Sequence, residues 1–320
     1  MRRTLAARLA QSLIVVAIVT TISFFVIRSA PGDPFSYDST TITPAIQRHW
    51  REQFGYDKPL PVQFVRYVVS VAHGELGYSV GRRQPVSSAL AETVPQTLLL
   101  AGLSLALSFA AGIIIGVVQA TRRDGLFDRI SSAVLMFFYS LPDFWAALMI
   151  LLVFAYWWPI LPAGNMVDPA LHDYMGGWDA FLDRIRHLVL PVASLTLLTM
   201  AGITRYQRAA ILETLPLDFI RTARAKGVSE AQIVWRHALR AALAPMITLL
   251  GLTLPVLLGG ALFIEKVFAW PGMGLLAANA INARDYDLVT ATVITGSVMV
   301  IAGNLIADLL HLAIDPRVRE

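Results

Sequence analysis

Long apolar stretches divide the chain into spans and connecting segments. Asp, Glu, Lys and Arg are absent from residues 9–27, 93–121, 187–204, 241–264 and 288–307. A further stretch, 130–158, contains a single charged residue, Asp143. An α-helix needs roughly 20 mainly apolar residues to cross a hydrocarbon core about 30 Å thick. The pattern therefore predicts six transmembrane helices and an all-α integral membrane fold.

The composition agrees with a membrane location. The 320-residue chain is 56% hydrophobic and only 15% charged, whereas soluble domains carry about 25% charged residues. So few charges cannot cover the surface of a soluble fold, and a disordered chain is much poorer in large apolar side chains. Both of those classes are excluded.

Lysine and arginine are distributed unevenly between the connecting segments. They collect before the first predicted span, between the second and third, between the fourth and fifth, and after the sixth: Arg2, Arg3, Arg8, Arg122, Arg123, Arg129, Arg205, Arg208, Arg221, Arg224, Lys226, Arg236, Arg240, Arg317 and Arg319. Basic residues concentrate on the cytoplasmic side of a membrane. We therefore predict that both termini are cytoplasmic and that a long external segment joins helices 1 and 2.

This topology divides the chain into three parts. Residues 1–30 are predicted to form an N-terminal transmembrane helix, a retained anchor because the segment after it lacks the features of a cleavage site. Residues 31–92 form the external segment. Residues 93–320 form a five-helix core that contains a cytoplasmic loop at 205–242.

Aromatic side chains cluster beyond two of the predicted spans. Tyr156, Trp157 and Trp158 end the third span, and Phe268 and Trp270 follow the fifth. Indole and phenol rings favour the headgroup layer because it satisfies both an apolar ring and a polar tip. We expect both clusters at the external membrane surface.

Several kinds of chemistry are excluded by residue content. The chain has no cysteine, and its six histidines form no HExxH pattern, so we expect no metal site. The phosphate-binding sequence GxxxxGK[ST] is absent. We therefore expect no catalytic residue, no metal and no cofactor bound by this chain. The pI of about 9.5 reflects basic residues on the cytoplasmic face rather than nucleic-acid binding.

The cytoplasmic loop has the pattern of two short helices joined by a glycine turn. Asp218 is a candidate N-cap for a first helix over 219–226, and Gly227 fits the left-handed residue that ends such a helix. Ser229 is a candidate N-cap for a second helix over 231–242. The loop is therefore predicted to be a helical hairpin at the cytoplasmic membrane surface.

Two interpretations of this hairpin are open. It is either a solvated basic element beside anionic lipid or a docking element for a partner protein. The small residues Thr222, Ala223 and Ala225 favour docking because they allow a partner to approach closely.

Several segments of the chain resemble one transporter family. The residues Thr222, Ala223, Arg224, Ala225, Lys226 and Gly227, followed by Trp235, Arg236, His237, Ala238, Leu239, Arg240 and Pro245, are similar to the EAA motif of ABC importer permeases, in the version typical of the dipeptide/oligopeptide branch. Six further segments resemble the same branch: residues 31–34, 74–79, 265–268, 271–274, 284–286 and 315–317. Each segment is short, but together they cover the chain in the expected order.

The resemblance implies a permease subunit of an ATP-driven importer in the bacterial inner membrane. Such a subunit forms half of the translocation pathway for peptides, pairs with a second homologous permease, and receives substrate from an external binding protein. Two ATPase subunits, which hold ATP and Mg, dock on the cytoplasmic loops. The chain itself is then not an enzyme.

Residue by residue, the resemblance makes 222–227 the coupling helix and its turn. Arg224 and Lys226 would pair with acidic groups of the ATPase. Ala223 and Ala225 would pack into a cleft of the ATPase.

Three positions depart from the family pattern. Thr222 replaces the Glu that gives the motif its name, Ala241 stands where Asn is frequent, and Asp287 stands where Pro is frequent. Permeases of the same branch also import nickel chelates, opines or oligosaccharides, so the cargo stays open.

Asp143 is the one charged residue well inside a predicted span. A carboxylate is costly in lipid, so it should face the bundle interior or a wet cavity. It either lines the pathway and attracts cationic groups of the substrate, or it makes a hydrogen bond between helices.

Two other classes of protein fit the residues less well. An intramembrane enzyme needs a nucleophile with a base, or paired carboxylates, at one membrane depth, and Asp143 has no evident partner in the sequence. A stand-alone secondary carrier usually shows an internal repeat, which this sequence lacks.

Overall fold

Helices dominate the structure, a computed structural model that describes residues 2–30, 48–49, 51–52, 55–259 and 261–314. The helices are α1 (Arg2–Arg28), α2 (Leu60–Ala72), α3 (Val86–Thr121), α4 (Leu126–Ser140), α5 (Asp143–Trp157), α6 (Gly177–Thr214), α7 (Asp218–Ala225), α8 (Glu230–Ala242), α9 (Ala244–Leu258), α10 (Leu262–Val267), α11 (Met273–Asn282) and α12 (Tyr286–Ile314). A short 3₁₀-helix, His172–Tyr174, precedes α6. The two-residue strands β1 (Tyr78–Ser79) and β2 (Gln84–Pro85) pair antiparallel, with Ser79 opposite Gln84.

Within the described residues, four helices are long and apolar enough to cross a membrane. They are Ala10–Arg28 within α1, α3, α6, and Tyr286–Leu309 within α12. Two bent helix pairs, α4 with α5 and α8 with α9, raise the number to six when each pair counts as one span. An all-α, multi-pass membrane fold is thereby confirmed. The exact number of spans and the side on which each terminus lies stay predictions.

The third predicted span is not one continuous helix. The chain bends by 110° between α4 and α5, where Leu141 is extended, with φ −84° and ψ 143°, and Pro142 follows. A residue before proline is driven out of the helical region because the proline ring clashes with its backbone. The prediction of a single helix over 130–158 is therefore wrong, and Asp143 begins a helix instead of lying inside one.

The fifth predicted span has a bend of 51° at its start, between α8 and α9. Pro245 lies in the first turn of α9, where the N–H that proline lacks has no partner within the helix in any case. The helix predicted from residue 241 onward therefore begins at Ala244.

Packing divides the chain into two units. The first comprises Met1–Thr97 and Pro271–Ile301. In it, α1 packs on α2 through Phe24, whose ring centroid lies 5.3 Å from that of Phe64 and 5.4 Å from that of Tyr67. The start of α3 packs on α11 and α12 around an apolar core of Val86, Ala89, Leu90, Met273, Leu276, Ala280, Leu288, Val289 and Ala291.

The second unit comprises Leu98–Trp270 and Ala302–Glu320. In it, α3 lies close against α6. A Cβ added at Gly112 would lie 2.8 Å from Cγ2 of Ile203, and one added at Gly116 would lie 2.7 Å from the carbonyl oxygen of Thr204. Glycines spaced four apart allow this close backbone approach between membrane helices.

The two aromatic clusters differ in exposure. The first consists of Tyr156, Trp157 and Trp158, which are 64% to 69% exposed, as expected for the membrane surface. Phe268 and Trp270 are 0% and 1% exposed, and the Phe268 carbonyl accepts the Asn165 N–H at 2.8 Å. This second cluster is therefore packed inside the protein instead of facing the headgroup layer, because the connection before α6 packs on it. Its depth in the membrane stays a prediction.

Candidate functional site

The loop between α6 and α8 forms a short helix that ends in a glycine turn. Lys226 is the C-cap of α7, and Gly227 follows with φ +79°. The Gly227 N–H donates to the Arg224 carbonyl at 3.0 Å, and the Val228 N–H donates to the Ala223 carbonyl at 3.3 Å. This is a Schellman motif, in which the residue after the C-cap is left-handed. The prediction that Gly227 ends the helix in a left-handed turn is confirmed.

One face of α7 is anchored in the chain's own core. Ile220 is fully buried, and Ala223 is 9% exposed. They belong to an apolar cluster contributed by α3, α6, α7 and α8: Val117, Ala120, Ala210, Ile211, Ile220, Ala223, Ile233, Val234, Ala238 and Ala242. The expectation that Ala223 packs into a partner's cleft does not fit its burial against this chain.

The opposite face of α7 is open. Thr222, Ala225, Lys226 and Gly227 are all exposed, and the Thr222 hydroxyl is occupied by donating to the Asp218 carbonyl at 2.9 Å. Lys226 has no ion pair or hydrogen bond from its ammonium group to any residue that the structure describes. The loop therefore presents a free cation beside small side chains.

Arg224 and Glu230 form a two-pronged ion pair across the turn at Gly227. Nε of Arg224 donates to Oε1 at 2.6 Å, and Nη2 donates to Oε2 at 3.1 Å. The hydrogen bonds to this carboxylate raise the pKa of the Arg224 guanidinium above its usual value. Arg224 is 46% exposed and Glu230 65%, so the pair lies at the loop surface. The pair uses two of the five guanidinium N–H groups, so Arg224 can still donate to an acidic group of a partner with the others.

Neither predicted cap acts through its side chain. Leu217, not Asp218, is the N-cap of α7, so the prediction for Asp218 is wrong. Asp218 is the first helical residue and lies 3.5 Å from Arg221 in an exposed ion pair. Its carboxylate is still favourable there because a helix dipole stabilises negative charge in the first turn. Ser229 does occupy the N-cap of α8 but makes no capping hydrogen bond.

Arg236 and His237 lie on a widened turn of α8. Residues Ile233–Ala238 form a π-helical segment, three of whose residues are buried in the apolar cluster already described. Arg236 is exposed and His237 is half-buried. π-helical turns are rare in proteins, and many of those that occur lie at functional positions. The sequence predicted an ordinary α-helix here.

Asp143 lies at the break between α4 and α5. It is the first residue of α5 and is exposed. No hydrogen bond or ion pair joins its carboxylate to the described part of the chain, so the structure does not show the hydrogen bond between helices there. Its role in a pathway stays a prediction.

Comparison with known proteins assigns the chain to one family. Residues 112–320 match the family described as the inner membrane component of binding-protein-dependent transport systems. Residues 1–101 match the N-terminal part described for such membrane components. The chain belongs to this family. The resemblance in the sequence is thereby confirmed, and the protein is a multi-pass permease of an ABC importer in the bacterial inner membrane.

Curated relatives match this permease along nearly its whole length. A peptide permease protein of Brucella suis biovar 1 is 39% identical over 306 residues. The oligopeptide transport system permease protein AppB of Bacillus subtilis is 35% identical over 305 residues, and the dipeptide transport system permease protein DppB of Escherichia coli K12 is 32% identical over 322 residues. In each case the match covers 94% of both chains.

A solved structure shares the fold of the permease. The inward-facing MetNI methionine ABC transporter gives a TM-score of 0.56 at 19% identity, covering 72% of this chain and 97% of that one. Two segments that carry the family resemblance, 31–34 and 315–317, lie outside the described residues.

The permease contains a partly buried ion pair that the sequence did not predict. Arg208 of α6 donates from Nε to Oδ1 of Asp128 at 3.0 Å and from Nη2 to Oδ2 at 2.8 Å. The Asp128 side chain is 6% exposed and also accepts the Asp124 N–H at 3.0 Å. The pair ties the start of α4 to α6. Its members are 80 residues apart, so no local pattern links them.

Two of the family-like segments meet around Asp285, in the first unit of the permease. Oδ2 of Asp285 accepts the Ser79 hydroxyl at 2.6 Å and the Gly81 N–H at 3.1 Å. Two residues on, Asp287 pairs with Arg28 at 2.5 Å. The departure from the family pattern at Asp287 therefore supplies an anchor for the end of α1.

Asp183 lies between two histidines at the start of α6. Its Oδ2 is 2.7 Å from Nδ1 of His172, and its Oδ1 is 3.1 Å from Nδ1 of His187. The Asp168 N–H donates to the same carboxylate at 3.0 Å. The cluster holds the segment before α6 against the helix. Among the described residues, no group of three or more acidic or histidine side chains could hold a metal ion.

Proposed function

We propose that this permease imports peptides and couples their passage to ATP hydrolysis by partner subunits. Relatives named for peptide, oligopeptide or dipeptide transport match 94% of the chain, which supports peptides as the cargo. The observation that carries the coupling role is the two-sided α7. Its Ile220 side is anchored in this chain, while its Ala225 and Lys226 side is open.

α7 is suited to passing movement from a docked partner to membrane helices. Its buried side chains share an apolar cluster with Val117 and Ala120 near the end of α3 and with Ala210 and Ile211 near the end of α6. Packed interiors have low compressibility, so a displacement of α7 moves both helix ends. ATP binding to the partner subunits shifts the permease from one conformation to another only if the ATPase docks on the two conformations with different affinities.

The proposed assembly contains this chain, a second homologous permease, two ATPase subunits and an external substrate-binding protein. The two permeases form the translocation pathway between them. ATP and Mg lie on the ATPase subunits, in keeping with the absence of a P-loop sequence from this chain. This chain supplies no catalytic residue and binds no cofactor, and it contacts the lipid bilayer rather than nucleic acid.

The proposed topology has six spans: α1, α3, the bent pair of α4 and α5, α6, α9 and α12. Both termini and the loop at 205–242 lie in the cytoplasm, and the segment at 31–92 lies outside. The support for this orientation is the concentration of Lys and Arg in the segments assigned to the cytoplasm.

Asp143 lines the proposed pathway. A carboxylate that is exposed on this chain within a membrane segment is costly unless it faces water or a partner group. Transport of matched neutral and cationic dipeptides by Asp143→Asn tests this role. We expect the variant to lose preference for the cationic dipeptide, and an unchanged preference contradicts the role.

Purification of the tagged permease from its native membrane in mild detergent tests the coupling. We expect ATPase subunits and a second permease to accompany it, and Lys226→Glu to lower ATPase recovery. Arg129→Glu, a matched reversal of an exposed charge at the start of α4, should leave recovery unchanged. A permease that purifies alone, or equal losses in both variants, contradicts coupling through α7.

A further inference from the structure

A cavity of about 420 Å³ opens between α4 and α6. Leu135, Met136 and Ala201 form part of its apolar wall, and the side chains of Tyr139 and Tyr206 also line it. The lining on α6 begins within the charge-free stretch that ends at residue 204 and continues into the basic residues after it. The cavity is therefore apolar toward one end and charged toward the other.

One cation in the cavity wall lacks a counter-ion. Two guanidinium groups line the cavity. That of Arg208 is neutralised by its two hydrogen bonds to Asp128. That of Arg205 is exposed and makes no ion pair or hydrogen bond with the part of the chain that the structure describes. The charged end of the cavity therefore carries one unbalanced positive charge.

The other polar groups at this end differ in whether they have a hydrogen-bond partner. The Gln119 amide donates to Ser131 at 2.8 Å, and the Ser132 hydroxyl donates to Asp128 at 3.3 Å. Thr204, which lines the cavity, is 1% exposed, and its hydroxyl has no hydrogen-bond partner within the described residues. The Thr204 hydroxyl is itself enclosed by the surrounding protein, so a ligand in the cavity reaches the exposed Arg205 guanidinium and not this hydroxyl.

The position of Arg205 along α6 indicates the depth of this site. It is the first charged residue after the apolar stretch of the helix, so it lies where hydrocarbon gives way to headgroups. Anionic lipids populate the cytoplasmic leaflet, and basic pockets between transmembrane helices on that side bind their headgroups. A ligand with an anionic group at this level and an apolar tail directed into the membrane matches both ends of the cavity.

We propose that this cavity binds an anionic phospholipid of the cytoplasmic leaflet, with its phosphate at Arg205 and an acyl chain along the wall of Leu135 and Met136. The site goes beyond the peptide-import function, because it requires neither a peptide nor an ATPase. Arg205 recognises the phosphate, and the apolar wall and the tyrosine rings accommodate the chain.

Native mass spectrometry of the full-length protein with its accompanying subunits tests the site, with phosphatidylglycerol and phosphatidylcholine of identical acyl chains as probes. We expect tighter binding of phosphatidylglycerol, whose headgroup has a net negative charge, weakened about fivefold by Arg205→Gln. The effect on phosphatidylcholine should be smaller, because its own choline cation offsets the charge of its phosphate. Arg129→Gln removes a charge from the start of α4 outside the cavity and should leave both affinities unchanged. Equal effects of the two variants, or no preference for the anionic lipid, overturn the proposal.

A cavity-filling variant separates the pocket from its charge. Ala133 is exposed on α4 and lines the cavity, so Ala133→Phe should weaken binding of both lipids while Arg205 is retained. Thermal unfolding without added lipid checks that the variants fold. Unchanged lipid binding by a folded Ala133→Phe variant overturns the proposal. Displacement of phosphatidylglycerol by the dipeptide Ala-Phe, but not by its C-terminal amide, would assign Arg205 to a substrate carboxylate and also overturn it.

Discussion

The guanidinium of Arg224 and the carboxylate of Glu230 close the turn at Gly227 with two hydrogen bonds, of 2.6 and 3.1 Å. One residue of the pair lies on α7, opposite the face that is anchored in this chain's core, and the other begins α8, which leads into α9. The pair therefore sets the direction in which α7 is held relative to α8. Gly227 makes such a tight reversal possible because its φ of +79° is in the left-handed region.

Reversing the charges of this pair should weaken coupling without abolishing it. Arg224→Glu and Glu230→Arg each place like charges across the turn, and surface pairs are weak, so we expect transport-coupled ATP hydrolysis in vesicles to fall about two- to fivefold. The double reversal should recover most of the loss because it restores an opposite-charge pair. Arg221→Glu controls for a general change of loop charge. A double variant no better than either single variant contradicts a structural role for the pair.

The close approach of α3 to α6 predicts a stability difference between two glycines of α3. Gly116→Ala places a Cβ 2.7 Å from the Thr204 carbonyl oxygen, and such overpacking should lower stability by about 1–3 kcal/mol. Gly102→Ala, on the same helix, meets no atom within 4 Å and should raise stability by up to about 1 kcal/mol. Thermal unfolding in one detergent measures both. Equal melting temperatures would show that α3 and α6 do not approach this closely.

Breaking the ion pair between Arg208 and the buried carboxylate of Asp128 should be costly. Arg208→Leu leaves a carboxylate that is 6% exposed without its partner, so we expect a loss of about 2–3 kcal/mol. Adding Asp128→Asn should recover part of it, because the uncompensated charge is then removed. Arg221→Leu, from the exposed pair with Asp218, is the control and should cost less than about 0.5 kcal/mol. Equal losses from Arg208→Leu and Arg221→Leu in thermal unfolding contradict the buried pair.

Tyr56 should make the first unit sensitive to alkaline pH. Its ring lies 4.2 Å from the Arg28 guanidinium carbon. Burial, reinforced by the negative charge of Asp287, raises the pKa of the Tyr56 phenol well above its usual value of 10.0. The folded state therefore keeps the proton longer than the unfolded state. The resulting stability is present below pH 10 and is lost as the pH rises above it.

The matching measurement is thermal unfolding as a function of pH. We expect Tyr56→Phe to reduce the loss of stability above pH 10. Tyr174→Phe removes a phenol that is 88% exposed and should leave the profile of the wild type unchanged. Identical profiles for wild type and Tyr56→Phe contradict the raised pKa.

The unbroken membrane helices, the short helix of the loop at 205–242 and the left-handed turn at Gly227 could be predicted from sequence, whereas the bends at Pro142 and Pro245 were missed. Each depends on a local requirement. A span needs roughly 20 mainly apolar residues because the hydrocarbon core is about 30 Å thick, and it is helical because lipid offers backbone groups no hydrogen bonds. A helix end in the left-handed region favours glycine over other residues. The family could also be identified from the sequence, because its short segments recur in order along the chain.

Tertiary structure alone decided which side chains meet. Arg208 and Asp128 are 80 residues apart, and Ser79 and Asp285 are 206 residues apart. Their pairing therefore depends on how the helices pack on one another and on the strands β1 and β2. The same holds for Ala223, which the family resemblance assigned to a partner's cleft and which lies against this chain's own core. The hydrophobic periodicity of the sequence predicts that a helix has two different faces. Only the packed structure determines which face is already occupied, because burial depends on neighbours that are distant in sequence.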